Sequence, residues 1–255
     1  MPEATSILEQ LVALSRDLAD PSRDLAILGE GNTSARLDGE TFLVKASGKE
    51  LRTADAGSFV AVSFARALAV LDGPEVADAA VRAALIDCRM EADGEVMPSV
   101  ETFLHAYLLS LPGVRFVGHT HPTAVNAILC SKASREAVCG RLFPDEIVCC
   151  GPAICYVEYT DPGVPLARKL RERVEAFIDE HNMAPKTILM ENHGLIAVGR
   201  SARDVDVITA MYEKTARVLL GTYALGGPRF LTPDHVARIH TRPDEAYRQK
   251  QLGAG

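Results

Sequence analysis

Residues 98–122 read PSVETFLHAYLLSLPGVRFVGHTHP, and this stretch decides the fold. Val100, Phe103, Leu104, Tyr107, Leu108 and Leu111 recur at the spacing of one helix face, and Pro98 and Ser99 stand ahead of them as a helix N-terminus prefers. Pro112-Gly113 stops the helix, and Val114 to His121 reads as a strand that runs from apolar residues into a polar end. A helix feeding directly into an apolar strand predicts a sheet covered by helices. Period two along the strand puts His119 and His121 on one face, as two ligands of one metal require.

The flanking sequence has the same alternation. Ile7, Leu8, Leu11, Val12, Leu14 and Leu18 mark an opening helix that Pro21 ends. A short strand is expected at Ala26 to Leu28, then a hairpin of Thr33 to Leu37 and Thr41 to Ala46 around Asp38-Gly39, whose turn calls for positive φ at both residues. Ser58 to Ser63 reads as a third strand, with helices at Phe64 to Leu71 and Val76 to Met90. Past the central stretch come a helix at Thr123 to Cys130, short strands at Ile147 to Cys150 and Ile154 to Tyr159, and an amphipathic helix at Leu166 to Ile178. Strands at Thr187 to Met190 and Leu195 to Val198 flank Glu191-Asn192-His193-Gly194, before a long helix from Ala202 to about Ala224. No boundary composition divides the chain, so residues 1–255 are expected to form one domain, with a helical extension after about 231 over the site or an interface.

Composition narrows the function. With 27 basic and 34 acidic residues the net charge is −7, and no Lys/Arg cluster stands out, so a nucleic-acid partner is not expected. Trp is absent and aromatics are 5%, which leaves no stacking platform for single strands. Hydrophobic residues at 47% against 24% charged exclude disorder as the main state. No run reaches the roughly 18 apolar residues of a membrane span, and Met1 to Asp17 lacks the basic start of a signal peptide. The six cysteines form no C-x-x-C pair and read as reduced, mostly buried thiols of a cytoplasmic protein.

Candidate chemistry gathers at strand ends. His193, between an apolar strand and Gly194, is placed for a third ligand beside His119 and His121, although an H-x-H pair alone is weak evidence against surface or capping roles. Glu101, in the first turn of the central helix, reads either as the acidic group of the site or as a carboxylate complementing the helix dipole. His105, one turn on, reads as its i, i+4 partner, while His181, His235 and His240 lie among charged residues and read as solvated. Two glycine turns, Gly29-Glu30-Gly31-Asn32-Thr33-Ser34 and Ala46-Ser47-Gly48-Lys49, could cradle an anion or could be plain tight turns. The first lacks a third glycine and opens a strand, which disfavours a dinucleotide.

Taken together, Gly31-Asn32-Thr33-Ser34, Ser47-Gly48, Pro98-Ser99-x-Glu101, His119-x-His121-Pro122 and Asn192-His193-Gly194 occur in an order that resembles the class II aldolase/adducin family. Within it, Val44-Lys45-Ala46-Ser47-Gly48 and the stretch from Pro98 to Ala106 look most like the aldolase half of bifunctional rhamnulose-phosphate aldolase/dehydrogenases, without a counterpart of the dehydrogenase half. The resemblance spans roughly Leu8 to Leu220 and implies a three-layer α/β/α sandwich with a mainly antiparallel sheet. It implies Zn2+, or Mn2+ or another divalent ion, on His119, His121 and His193, with Glu101 as fourth ligand at rest and then as acid/base group. Asn32, Ser47, Gly48 and Ser99 would hold a substrate phosphate, with Lys49 adding charge for a phosphate or a carboxylate, in a homotetramer with sites at subunit interfaces. The activity implied is retro-aldol cleavage of a sugar 1-phosphate to dihydroxyacetone phosphate and an aldehyde.

Two departures stand out. Val100 takes the place of a second serine found in some phosphate aldolases. The stretch Arg141 to Ile147 offers Phe143, Asp145 and Glu146 where fuculose-type enzymes have a tyrosine near the aldehyde. Other chemistry on the same scaffold stays open: a decarboxylase of a 3-oxo acid phosphate, a methylthioribulose-phosphate dehydratase or a pentulose-phosphate epimerase. A non-enzymatic adducin-like module would be expected to have lost the ligands, and a cupin-type site sits badly with so many amphipathic helices.

Overall fold

The computed structural model describes residues 6–91 and 96–244. Seven strands form one sheet: β1 (Asn32–Arg36), β2 (Thr41–Lys45), β3 (Phe59–Ser63), β4 (Phe116–Thr120), β5 (Cys155–Val157), β6 (Thr187–Met190) and β7 (Gly194–Gly199), in the order β3-β2-β1-β4-β7-β6-β5. Every neighbouring pair is antiparallel except β5 with β6.

Alternation along the strands sorts their side chains into two cores. Val44, Val117, Ile196 and Met190 pack under α2 (Phe64–Asp72), α4 (Thr102–Ser110) and α8 (Val164–His181), with α3 (Asp78–Asp87) beside them. Leu43, Phe116, Leu195 and Leu189 pack under α1 (Ile7–Leu18), α5 (Thr123–Leu129), α7 (Pro144–Cys150) and α9 (Ala202–Tyr223). The molecule is therefore a three-layer α/β/α sandwich, as the resemblance implies. The short α6 (Ser134–Ala137) follows α5, and α10 (Pro233–Thr241) packs on α7.

Several local expectations are corrected. Ile147 to Cys150 is helix, not strand: Pro144 opens α7, Asp145 and Glu146 fill its first turn, and its last four residues are buried. Ala26 to Leu28 forms no strand, and Ile27 and Leu28 are exposed in a turn closed by Glu30 N donating to Ile27 O at 3.0 Å. The β1–β2 hairpin forms, but neither Asp38 nor Gly39 takes a left-handed φ; Asp38 Oδ1 instead accepts from the amides of Glu40 and Thr41 and closes a longer loop. α4 is not one-sided, because everything from Thr102 to Leu109 is buried between the sheet, α2 and α8. Val100 lies before that helix and is exposed, and Pro98 bridges to Ala46 instead of entering it. His240 is half-buried, with a shielded Nδ1 that has no hydrogen-bond partner, where a solvated ring was expected.

Candidate metal centre

The site lies where β1, β4 and β7 end together under the N-terminus of α4. The β1–β4 register sets Asn32 beside His119, and the β4–β7 register sets Thr120 beside Leu195. His121 follows β4, anchored by its amide to the carbonyl of Leu25 at 2.9 Å. His193 occupies the β6–β7 turn behind Asn192, whose φ of 53° is one that asparagine tolerates. Gly194 makes the approach possible: a Cβ there would lie 2.5 Å from the carbonyl oxygen of Thr120 and 2.8 Å from Cδ2 of His121.

Three imidazoles from three segments thus meet. Their ring centroids are 4.7, 4.9 and 5.2 Å apart, and one nitrogen from each lies within 4.8 Å of the others. Glu101 completes the group. It is the N-cap residue of α4 but makes no side-chain cap; instead its Oε2 lies 3.5 Å from His119 Nε2 and its Oε1 3.2 Å from His193 Nε2.

Protonation follows from the contacts. His119 Nδ1 lies 3.0 Å from the Leu195 carbonyl, which only accepts, so the proton sits on Nδ1 and the Nε2 lone pair faces inward. Burial pushes the His119 ring down to about 3, against the pull of Glu101. Burial also lowers His121, with His193 beside it acting in the same direction. Burial alone would raise the Glu101 carboxyl; His119, His193 and the amide of Asn32 outweigh it and hold Glu101 below its ordinary range. Glu101 Oε1 is shielded and makes no aligned hydrogen bond. The inward Nε2 lone pair of His119 beside an ionised carboxylate fits a divalent cation, and three imidazoles with a carboxylate form a donor set suited to zinc. Behind His121, Glu30 Oε1 stands 3.7 Å from Nδ1.

Other predicted residues gather nearby. Ser47 N donates to Met97 O at 2.8 Å and Ser99 N to Lys45 O at 3.1 Å, which ties the Ser47-Gly48-Lys49 turn to the segment that carries Ser99. Ser47, Gly48 and Lys49 are exposed, Gly48 with a φ of 76°, while Ser99 and Asn32 are buried. The Asn32 amide donates to Glu101 Oε2 at 2.6 Å and to Ser99 Oγ at 3.1 Å, which links the carboxylate to the segment that carries Ser99. His105 does not pair with the Glu101 carboxylate; its ring nitrogens meet Ser34 and Asn32.

Sequence reading missed Lys45. It is buried at the end of β2, and its ammonium joins the two glycine turns through the carbonyls of Gly29, at 3.5 Å, and Lys49. Burial lowers its pKa, with Glu101 and Glu50 opposing. The available signal was a lysine at the end of an apolar strand between two glycine turns. Among the described residues, no helix is long and apolar enough to cross a membrane.

Residues 9–220 match the family described as Class II Aldolase and Adducin N-terminal domain. A curated relative, the uncharacterized oxidoreductase YuxG of Bacillus subtilis (strain 168), is 27% identical over 220 residues; these cover 83% of this chain but 28% of YuxG. Among solved structures, the N-terminal class II aldolase domain of a conserved protein from Thermoplasma acidophilum superposes with a TM-score of 0.68 at 25% identity, covering 86% of this chain and 96% of that one. An L-fuculose 1-phosphate aldolase gives 0.69 at 16% identity, covering 96% of this chain and 98% of its own, a likeness of fold.

Proposed function

The chain belongs to the class II aldolase and adducin N-terminal domain family, and from that premise we propose that it is a divalent-metal lyase that splits a phosphorylated ketose, a sugar 1-phosphate, into dihydroxyacetone phosphate and an aldehyde. The convergence of His119, His121 and His193 on one point beside an ionised Glu101 carries this reading.

Retro-aldol cleavage leaves negative charge on the carbon next to the ketone. Zinc, or manganese in its place, would supply the Lewis acid that such chemistry needs. His119, His121 and His193 would hold the ion, and three protein ligands leave room for substrate. Cleavage moves one proton from the hydroxyl that becomes the aldehyde to the carbon that bears the charge, and the ionised Glu101 carboxylate relays it; in the reverse direction it removes that proton from the carbon and the new alcohol takes it up. Asn32, by donating to Glu101 Oε2, fixes the direction of the carboxylate.

Ser47, Gly48 and Ser99 hold the substrate phosphate, with Lys49 adding charge. The exposed, left-handed backbone at Gly48 and the hydrogen bonds that join this turn to Ser99 support that assignment. Contacts so far from the breaking bond fix the sugar's position. The same reading places the enzyme in the cytoplasm as a homotetramer with sites at subunit interfaces; exposed Ile27 and Leu28, on the loop leading to Asn32, support an interface there.

Zinc-loaded protein incubated with a panel of ketose 1-phosphates, with products identified by NMR, tests the reading. Release of aldehyde and dihydroxyacetone phosphate is expected from at least one sugar. Decarboxylation, dehydration or epimerisation of a phosphorylated substrate, with no aldehyde from any ketose, would overturn it.

A further inference from the structure

Beneath Glu101, four buried side chains form a ladder between β1 and α4. Ser34 Oγ lies 2.6 Å from His105 Nδ1, His105 Nε2 is hydrogen-bonded to Asn32 Oδ1, and Asn32 Nδ2 donates to Glu101 Oε2 at 2.6 Å. The strand supplies Asn32 and Ser34, two residues apart on one face; the helix side supplies Glu101 and His105, one turn apart. Two strand residues span about 6.7 Å, and four helical residues rise about 6 Å. The two spacings match closely enough for the imidazole to bridge both elements.

Only one polarity is consistent along this ladder. Asn32 turns its NH2 group toward Glu101 Oε2, at 2.6 Å, and Ser99 Oγ, at 3.1 Å. Asn32 Oδ1 then faces His105 and can only accept, which puts the ring proton on Nε2. A neutral imidazole with its proton there has a bare Nδ1, and the Ser34 hydroxyl donates to it. His105 is fully buried, and burial pushes its pKa down to about 4 against the pull of Glu101, so the ring stays neutral at working pH. The direction of the Asn32 amide thereby sets every donor and acceptor as far as Ser34.

We propose that His105 is a positioning residue, a rigid rung that stops the Asn32 amide from turning over and so keeps the Glu101 carboxylate directed at His119 and His193. The inference rests on the proposed role of Glu101 beside a metal. Without the ring, Asn32 Oδ1 loses its donor in a closed interior, and the amide is held from one side only. Ser34 acts one step further out, by selecting the tautomer.

The test uses the full chain with zinc bound. Histidine 15N NMR at pH 7.5 should show His105 as the Nε2–H tautomer, and Ser34→Ala should mix in the Nδ1–H form. Zinc affinity, read by competition with a chromophoric chelator, should fall about 10- to 100-fold in His105→Phe, the range for groups that orient ligands. His105→Gln should recover most of that loss, because its amide can donate to Asn32 Oδ1. With a cleaved ketose phosphate, kcat should drop in His105→Phe while KM barely moves. An Nδ1–H tautomer in the wild type, or a folded His105→Phe protein with wild-type zinc affinity, would overturn the proposal. If His105→Phe does not fold, the wild-type tautomer and the response to Ser34→Ala decide. Should no ketose phosphate be cleaved while tautomer and affinity behave as expected, the proposed reaction falls and the positioning role stands.

Discussion

Replacing Gly194 by alanine tests the packing that lets the imidazoles meet. The new Cβ would lie 2.5 Å from the Thr120 carbonyl oxygen, 2.8 Å from His121 Cδ2 and 3.2 Å from His119 Cε1. A carbon–oxygen contact settles at about 3.3 Å, so β4 and β7 would have to part by roughly 0.8 Å just where Leu195 pairs with Thr120. Overpacking of this kind costs about 1–3 kcal/mol. In a chain of this size a loss of ~2 kcal/mol lowers Tm by about 4–8 °C. The 2.8 Å clash also pushes the His121 ring aside, so zinc affinity should drop about tenfold or more. Calorimetry on metal-free protein and chelator competition read the two effects separately. Gly221→Ala is the control: that glycine sits inside α9 with nothing within 4 Å of its added Cβ, and alanine there should stabilise by up to ~1 kcal/mol. A Gly194→Ala protein with wild-type Tm and zinc affinity would refute the reasoning.

Glu101→Gln keeps shape but removes the proton acceptor, and should lower kcat about 10²- to 10⁴-fold with the fold intact by circular dichroism; activity within a few-fold of wild type would remove Glu101 from proton transfer. Metal-free protein should lose stability as pH falls from 7.5 to 5. His105 and His119 have folded pKa values of about 4 and 3, below their ordinary value of 6.5, so the unfolded chain takes up protons that the folded one refuses. That amounts to ~2 kcal/mol for each ring at pH 5; a Tm that holds steady or rises over the same range would contradict it. Arg141 and Glu146 form a buried ion pair between the segment before α7 and its first turn. Arg141→Leu should cost about 3–5 kcal/mol by leaving Glu146 without its partner. Removing both charges together should cost less than that single change; a double variant that loses as much stability as Arg141→Leu in denaturant unfolding would contradict this.

Local periodicity made most of the framework legible. His119 and His121 could be placed on one face because strand side chains alternate, and the α4 spacing survived even though packing on all sides hid its amphipathic origin. Four consecutive apolar residues, Ile147 to Cys150, carry no period; the helix there was announced only by Pro144 with Asp145 and Glu146. Ala26 to Leu28 failed for a related reason, since apolar residues in a turn beside the site look like a strand when their exposure is unknown. The direction of Glu101 away from its own helix, and the separate use of His105, were not legible. Both depend on β1 lying beside α4, a contact between segments about 70 residues apart. Lys45 escaped for the same reason, because its carbonyl partners come from two turns that only the folded sheet brings together.

Everything proposed for the site depends on one ion shared by His119, His121 and His193. Elemental analysis of purified protein, paired with zinc titration of the metal-free form, measures this directly in the wild type and in His193→Ala. One equivalent of zinc or manganese per chain in the wild type, with affinity falling by orders of magnitude in His193→Ala, is the result the account predicts. A wild-type chain that takes up no stoichiometric divalent ion, or a His193→Ala protein that binds zinc as tightly as the wild type, would contradict it.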